Sequence, residues 1–145
     1  MARRLLEAGH DLLFYSRTPE KLAEFASRGA KVAGSIVETA AHGVVITRLG
    51  NDAALAQVAE RPYGLIEILP GGAIHVVMGV HQIDAIFSLT VAHQAAGQKL
   101  VAAPVLRRPT MVTARRLGII AAGPAGARLF SLPAPGGLGA HPGCA

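Results

Sequence analysis

A chain of 145 residues with 51% hydrophobic and 16% charged residues has the length and apolar content of one globular domain, which excludes disorder throughout. Its single cysteine, Cys144, excludes an internal disulfide and a cysteine-rich metal site, and suits a reducing compartment. The net charge of +5 is unevenly placed, because all nine acidic residues lie at or before Asp84 and the chain beyond it is purely basic.

Mean hydropathy is high, at +0.40, but no membrane span follows. The uncharged stretch 68–83 contains Pro70, Gly71, Gly72, His75 and His81. At the start, Arg3, Arg4, Leu5 and Leu6 are followed by Glu7, His10 and Asp11 before an apolar signal core develops, so the expected location is the cytoplasm. With 4% aromatic residues and no Trp, the core should be built from aliphatic layers rather than as an aromatic-rich sandwich.

Residues 2–8 read as the end of a helix closed by Gly9, and 12–15 as a short buried strand. Thr18 and Pro19 suit the cap and first position of a second helix, whose Leu22, Phe25 and Ala26 share a face and which Gly29 ends. A strand at 31–33 is followed by Ser35 and Glu38 at capping-box spacing. The β-branched run 44–49 predicts the next strand, and Asn51 or Asp52 caps a helix over 53–60. Pro62 and Gly64 mark a loop. Then come a strand at 74–78, a long helix over 83–96 stopped by Gly97, a strand at 100–103 and an edge strand at 117–122.

Strands alternating with helices through short connections predict an α/β fold, a doubly wound and mostly parallel sheet covered on both faces. Residues 131–145 hold three Pro and four Gly without periodicity and are expected to form a disordered tail to a domain at 1–130.

Read in order, LLEAGHDLLFYSRTPEKLAEFASRGAKVAGS, GVVITRLGNDAAL, GGAIHVVMG, AHQAAGQKLVAAPVLRRP and LGIIAAGPA resemble the N-terminal domain of 3-hydroxyisobutyrate dehydrogenase-like reductases, a branch of the 6-phosphogluconate dehydrogenase superfamily. The resemblance covers roughly residues 1–130 and implies a Rossmann-like domain for NADP or NAD. In that family a first strand and a G-x-G-x-x-G turn precede the first helix and hold the cofactor pyrophosphate. Both are missing from this sequence, whose opening corresponds to the second half of that helix, so the expectation is an incomplete start.

At the end of the second family strand this chain reads Ser16, Arg17, Thr18, where relatives carry a similar Asn-Arg-Thr. An NAD-selective site places a carboxylate there for the ribose hydroxyls. Arg17 offers a permanently charged planar fork and its neighbours add hydroxyls, so NADP is the expected cofactor, with NAD as the alternative. Leu49, Gly50 and Asn51 resemble a Leu-Pro-Asn stretch beside the nicotinamide half, although Asn51 serves equally as a helix cap.

The substrate side diverges. Where relatives carry a Ser-Thr-Ile-Ser run, Gly79 and Val80 remove the hydroxyls, and His81 reads as surface or cap chemistry before it reads as an anion contact or proton carrier. Arg107 occupies a glycine position of the substrate loop resembled by 103–109. The family's catalytic lysine belongs to a second, helical domain, and Lys21, Lys31 and Lys99 do not match it, so no catalytic residue is assigned. The histidines, among them His10, His75, His93 and His141, lack zinc-site spacing, and no metal is assigned.

These readings make the chain the NADP-binding part of a β-hydroxyacid dehydrogenase, without turnover alone and with a small-molecule substrate in the complete enzyme. The alternative is a non-catalytic remnant or interaction module that associates through apolar surface. Nucleic acid is a weaker third partner, because Arg107, Arg108, Arg115 and Arg116 come without an aromatic platform.

Overall fold

The computed structural model describes residues 2–105. The expected strand at 117–122, the tail at 131–145 and Arg107, Arg108, Arg115 and Arg116 lie outside them.

Five short strands alternate with helices. In chain order they are α1 (Ala2–Glu7), β1 (Leu13–Phe14), α2 (Ala23–Ala26), β2 (Lys31–Val32), α3 (Ile36–Thr39), β3 (Val44–Thr47), α4 (Asp52–Ala59), α5 (Leu65–Ile68), β4 (Ile74–Val77), α6 (Ile83–Ala95) and β5 (Lys99–Ala102). Single 3-10 turns precede α2 (Pro19–Leu22) and follow α3 (Ala40–His42). Every strand pair is parallel, the arrangement that crossover helices impose. The helix stops expected at Gly9 and Gly97 adopt φ of +81° and +69°, where a residue with a Cβ is strained.

Differences from the sequence reading are local. The 12–15 and 44–49 runs form shorter strands, because Tyr15, Ser16, Arg48 and Leu49 already belong to the turns at the carboxyl edge. Thr18 makes no side-chain cap; its N–H instead donates to Ser16 Oγ at 3.2 Å. Neither bond of the capping box forms: Ser35 Oγ donates to the Glu38 carboxylate at 3.0 Å instead of accepting a backbone N–H, and Glu38 Oε2 accepts from the Gly34 N–H rather than that of Ser35. The α5 turn lies in the stretch left as loop. There Gly64 permits the fold-back, since a Cβ on it would lie 2.6 Å from the Ala59 carbonyl oxygen.

Side-chain alternation along the three-stranded sheet β3-β4-β5 defines two cores. Val77 and Leu100 point to one face and meet Leu55 and Ala59 of α4 and Leu89 of α6. Val76, Met78, Val101 and Ala103 form a second buried cluster. A third joins Ile36 and Ala40 to Leu65, Leu69 and Ala73.

The sheet is broken between β1 and β3. Among the described residues β1 pairs only with β2, and the two sheets face one another across a groove of about 520 Å³ lined by Leu13 and Phe14 on one side and Val44, Val45 and Ile46 on the other. Ile46 is 47% exposed at this edge, unusual for a strand of a parallel sheet. The break falls where the family resemblance puts its first strand. No helix among the described residues is long and apolar enough to cross a membrane.

Candidate functional site

Parallel strands all deliver their following turns to one edge of a sheet, and in α/β folds ligands bind at that carboxyl edge. Ser16, Arg17 and Thr18 follow β1. Leu49, Gly50 and Asn51 follow β3, and Gly79 and Val80 follow β4.

After β1, the Ser16 hydroxyl accepts the Thr18 N–H and tightens the turn that carries Arg17 outward. Arg17 and Thr18 are exposed, and Arg17 makes no ion pair among the described residues, whereas Arg3, Arg28 and Lys31 nearby are each paired with a carboxylate. A guanidinium displayed in this way fits a phosphate monoester. Phe14, the strand residue two places before Ser16, stacks on Phe25 of α2 with ring centroids 5.0 Å apart and braces the turn.

After β3, the Leu49 side chain packs against the core between α4 and α6, so its polar contribution to the edge is its carbonyl oxygen. Gly50 borders open space. Asn51 Oδ1 accepts the Ala54 N–H at 2.8 Å and caps α4, so this oxygen is already committed to the helix. Arg48, which the sequence reading passed over, is exposed and lines the groove together with Phe14.

After β4, Val80 is 67% exposed. Gly79 is there for space: a Cβ would collide with His81 Nε2 and lie 2.6 Å from the Leu49 carbonyl oxygen. Of the surface or cap roles expected for His81, the structure removes the first. Its side chain is fully buried, and its Nδ1 donates to Asp52 Oδ1 at 2.7 Å, tying the start of α6 to the start of α4. Asp52 and His81 are 29 residues apart, so no local pattern signals the pair.

The structure thus brings Leu49, Asp52, Gly79 and His81 into one cluster. Ser16, Arg17 and Thr18 stand on the two-stranded sheet across the groove. At one end of this edge stands the exposed Arg17, without an ion pair among the described residues, and at the other the polar atoms around Asp52 and His81. Among the described residues no glycine-rich turn opens a helix toward the middle. No group of three or more His, Cys, Asp or Glu among them could hold a metal ion.

The family model described as the NAD binding domain of 6-phosphogluconate dehydrogenase matches residues 1–130. An uncharacterized oxidoreductase, YfjR, of Bacillus subtilis (strain 168) is 35% identical over 134 residues, covering 92% of this chain and 47% of its own length. The chain thus spans about half the length of that curated relative. Among solved structures, Psf3 in complex with NADP+ and 2-OPP superimposes with a TM-score of 0.85 at 25% identity, over 90% of this chain and 47% of that one. The 3-hydroxyisobutyrate dehydrogenase of Salmonella typhimurium has the same fold, with a TM-score of 0.78 at 22% identity over 88% of this chain and 45% of that one. The strand order and these matches lead to one conclusion: the chain belongs to the family of the NAD binding domain of 6-phosphogluconate dehydrogenase.

Proposed function

We propose that this domain selects NADP over NAD, with Ser16, Arg17 and Thr18 on the 2′-phosphate and the Leu49, Gly50 and Asn51 turn beside the nicotinamide. The observation that carries the reading is Arg17: exposed, at the carboxyl end of β1, and without an ion-pair partner among the described residues. A carboxylate at that position would repel a phosphate, whereas the guanidinium fork binds it in two hydrogen bonds. The cofactor supplies hydride chemistry when bound, and the chain's own residues orient it and exclude water.

For the whole protein the reading is a cytoplasmic β-hydroxyacid dehydrogenase acting on a small hydroxy acid or the matching aldehyde. Gly79 and Val80 occupy the substrate side of the edge. The 145-residue chain alone is expected to show no turnover, since none of Lys21, Lys31 and Lys99 matches the catalytic lysine that the family resemblance implies.

Binding of 2′-phospho-ADP-ribose and of ADP-ribose to the chain and to Arg17→Ala tests the selectivity. The expected result is at least tenfold tighter binding of the 2′-phosphorylated ligand, a preference that Arg17→Ala removes. Equal affinity of the unaltered chain for both ligands would overturn the reading.

A second reading, an interaction module, draws on α6. Its Ile83, Phe87 and Val91 recur every four residues and are 85%, 69% and 50% exposed, an apolar stripe suited to a partner's surface.

A further inference from the structure

We propose that Arg48 is a ligand-binding residue: its guanidinium, at the carboxyl end of β3 and at the mouth of the groove between the two sheets, holds the diphosphate of the dinucleotide. The inference rests on the dinucleotide reading above and adds a second cation to it.

The groove is polarised in charge. Its one carboxylate among the described residues belongs to Asp11, ahead of β1, and holds Lys31 Nζ at 2.9 Å. Two of its arginines, Arg3 and Arg4 on α1, are paired with Glu24 and Glu7. Arg48 is the third; it is exposed and makes no ion pair among the described residues. It directly follows Thr47, the last residue of β3. Phe14, Met78 and Val105, at or just beyond the ends of β1, β4 and β5, line the groove as well, so this end of it opens on the carboxyl edge. These neighbours are apolar, and a cation beside low-dielectric walls attracts an anion more strongly than one surrounded by water.

The order of groups in the ligand says which anion that is. A 2′-phosphorylated nicotinamide dinucleotide is a linear molecule whose diphosphate joins its two ribosides. With the 2′-phosphate at Ser16, Arg17 and Thr18 after β1 and the nicotinamide beside Leu49, Gly50 and Asn51 after β3, the diphosphate crosses the mouth of the groove from one sheet to the other. The ligand carries two separate anionic groups. Among the described residues the turns after β1 and β3 present two arginines without ion pairs, one on each sheet, Arg17 and Arg48. A guanidinium offers parallel N–H donors that match oxygens on neighbouring phosphorus atoms, whereas an ammonium acts as a point charge.

The test is calorimetric titration of the 145-residue chain with three probes: 2′-phospho-ADP-ribose, which carries both anionic groups, 2′-AMP, which lacks the diphosphate, and ADP-ribose, which lacks the 2′-phosphate. Arg48→Met keeps an apolar side chain on the groove and removes the charge. It should weaken 2′-phospho-ADP-ribose and ADP-ribose about tenfold, leave 2′-AMP unchanged and melt with the parent. Arg48→Lys should recover part of the loss. Arg17→Ala, by contrast, should weaken both 2′-phosphorylated probes and spare ADP-ribose.

Unchanged affinity of Arg48→Met for 2′-phospho-ADP-ribose overturns the inference, and leaves the NADP reading standing if the parent still prefers that probe to ADP-ribose. Equal weakening of 2′-phospho-ADP-ribose and 2′-AMP marks a general loss of field or of fold, and this too overturns it. If the parent binds ADP-ribose and 2′-phospho-ADP-ribose equally, the NADP reading fails and ADP-ribose decides for Arg48: a tenfold loss in Arg48→Met upholds it, and no loss overturns it. A chain that binds none of the three probes overturns both.

Discussion

His75 on β4 and His93 on α6 share a hydrogen bond of 2.9 Å between Nδ1 of the first and Nε2 of the second, in the dry space between sheet and helix. Its direction can be derived. Gln98 Nε2 donates to the carbonyl oxygens of Ile66 and Leu69, so Gln98 Oε1 is an acceptor and His93 Nδ1 must donate to it, at 2.6 Å. His93 Nε2 is then a lone pair, His75 Nδ1 donates to it, and His75 Nε2 accepts from the Thr47 hydroxyl at 2.8 Å. Four side chains form one fully satisfied relay in which both histidines are neutral.

That arrangement makes the domain acid-sensitive well above the range of its carboxylates. Burial, reinforced by the neighbouring His93, lowers the His75 pKa from 6.5 to about 3, and burial lowers that of His93 as well. Both are depressed in the folded state, so the unfolded chain binds more protons below pH 6.5. Stability should be full above that pH and fall as pH drops, by about 1.4 kcal/mol per pH unit for His75 once the unfolded form is protonated, with His93 contributing in the same direction. Urea unfolding between pH 7.5 and 5 measures this. A midpoint constant across the interval, or an equal slope in a His75→Gln/His93→Gln variant, would show that the relay does not control it.

Gly79 and Gly50 should respond differently to the same substitution. A Cβ at Gly79 meets His81 Nε2 and the Leu49 carbonyl, and the second is backbone that cannot swing away. Gly79→Ala should cost about 1–3 kcal/mol and break the His81 to Asp52 hydrogen bond. Gly50→Ala meets nothing and should lie within about 0.5 kcal/mol of the parent. Thermal unfolding of the two variants side by side gives the answer, and similar stabilities would refute the crowded-cradle account.

Much of this architecture was legible because local rules decide it. Gly9 and Gly97 end helices since their positive φ strains residues with a Cβ, and β-branched runs such as residues 44–47 have few alternatives to a strand. The α5 turn was not legible, because Leu65–Ile68 is one turn long and its helix depends on Gly64 folding back onto Ala59. Nor was the polar interior. His75 and His93 are 18 residues apart and Asp52 and His81 are 29 apart, so the partners that make each histidine intelligible arrive only with the crossover connections. The position of Arg17 after β1 was legible, whereas the placement of Arg48 on the groove was not.

The α6 stripe carries a prediction about association. Ile83, Phe87 and Val91 expose apolar surface on a helix whose opposite side buries Leu89 and His93. At high micromolar concentration the chain should self-associate, and Phe87→Glu should shift it toward monomer without loss of helical circular dichroism. Sedimentation velocity distinguishes the cases. A parent chain that stays monomeric over a hundredfold range of concentration would show that the stripe is not a contact surface.

The groove between the two sheets leads to the last expectation. β1 and β3 each present an open edge to it, and an unpaired edge of a parallel sheet leaves backbone donors and acceptors without ladder partners. α1 lines the groove through Ala2, Arg3, Arg4 and Leu5 and then leads into β1, so a strand placed ahead of α1 would form a right-handed crossover unit with β1 and lie in this slot. A chain extended at Met1 by five apolar β-branched residues and a glycine-rich turn should therefore join the two sheets into one. The amides of Leu13, Phe14 and Val44 to Thr47 should exchange with solvent at least tenfold more slowly, and the melting temperature should rise. A control extension of equal length built from Gly and Ser should do neither, because it cannot bury enough surface to offset the entropy of ordering. If both extensions protect these amides equally, the groove is not a strand site; if the apolar one alone does so, the slot between β1 and β3 is a place for a central strand of the sheet.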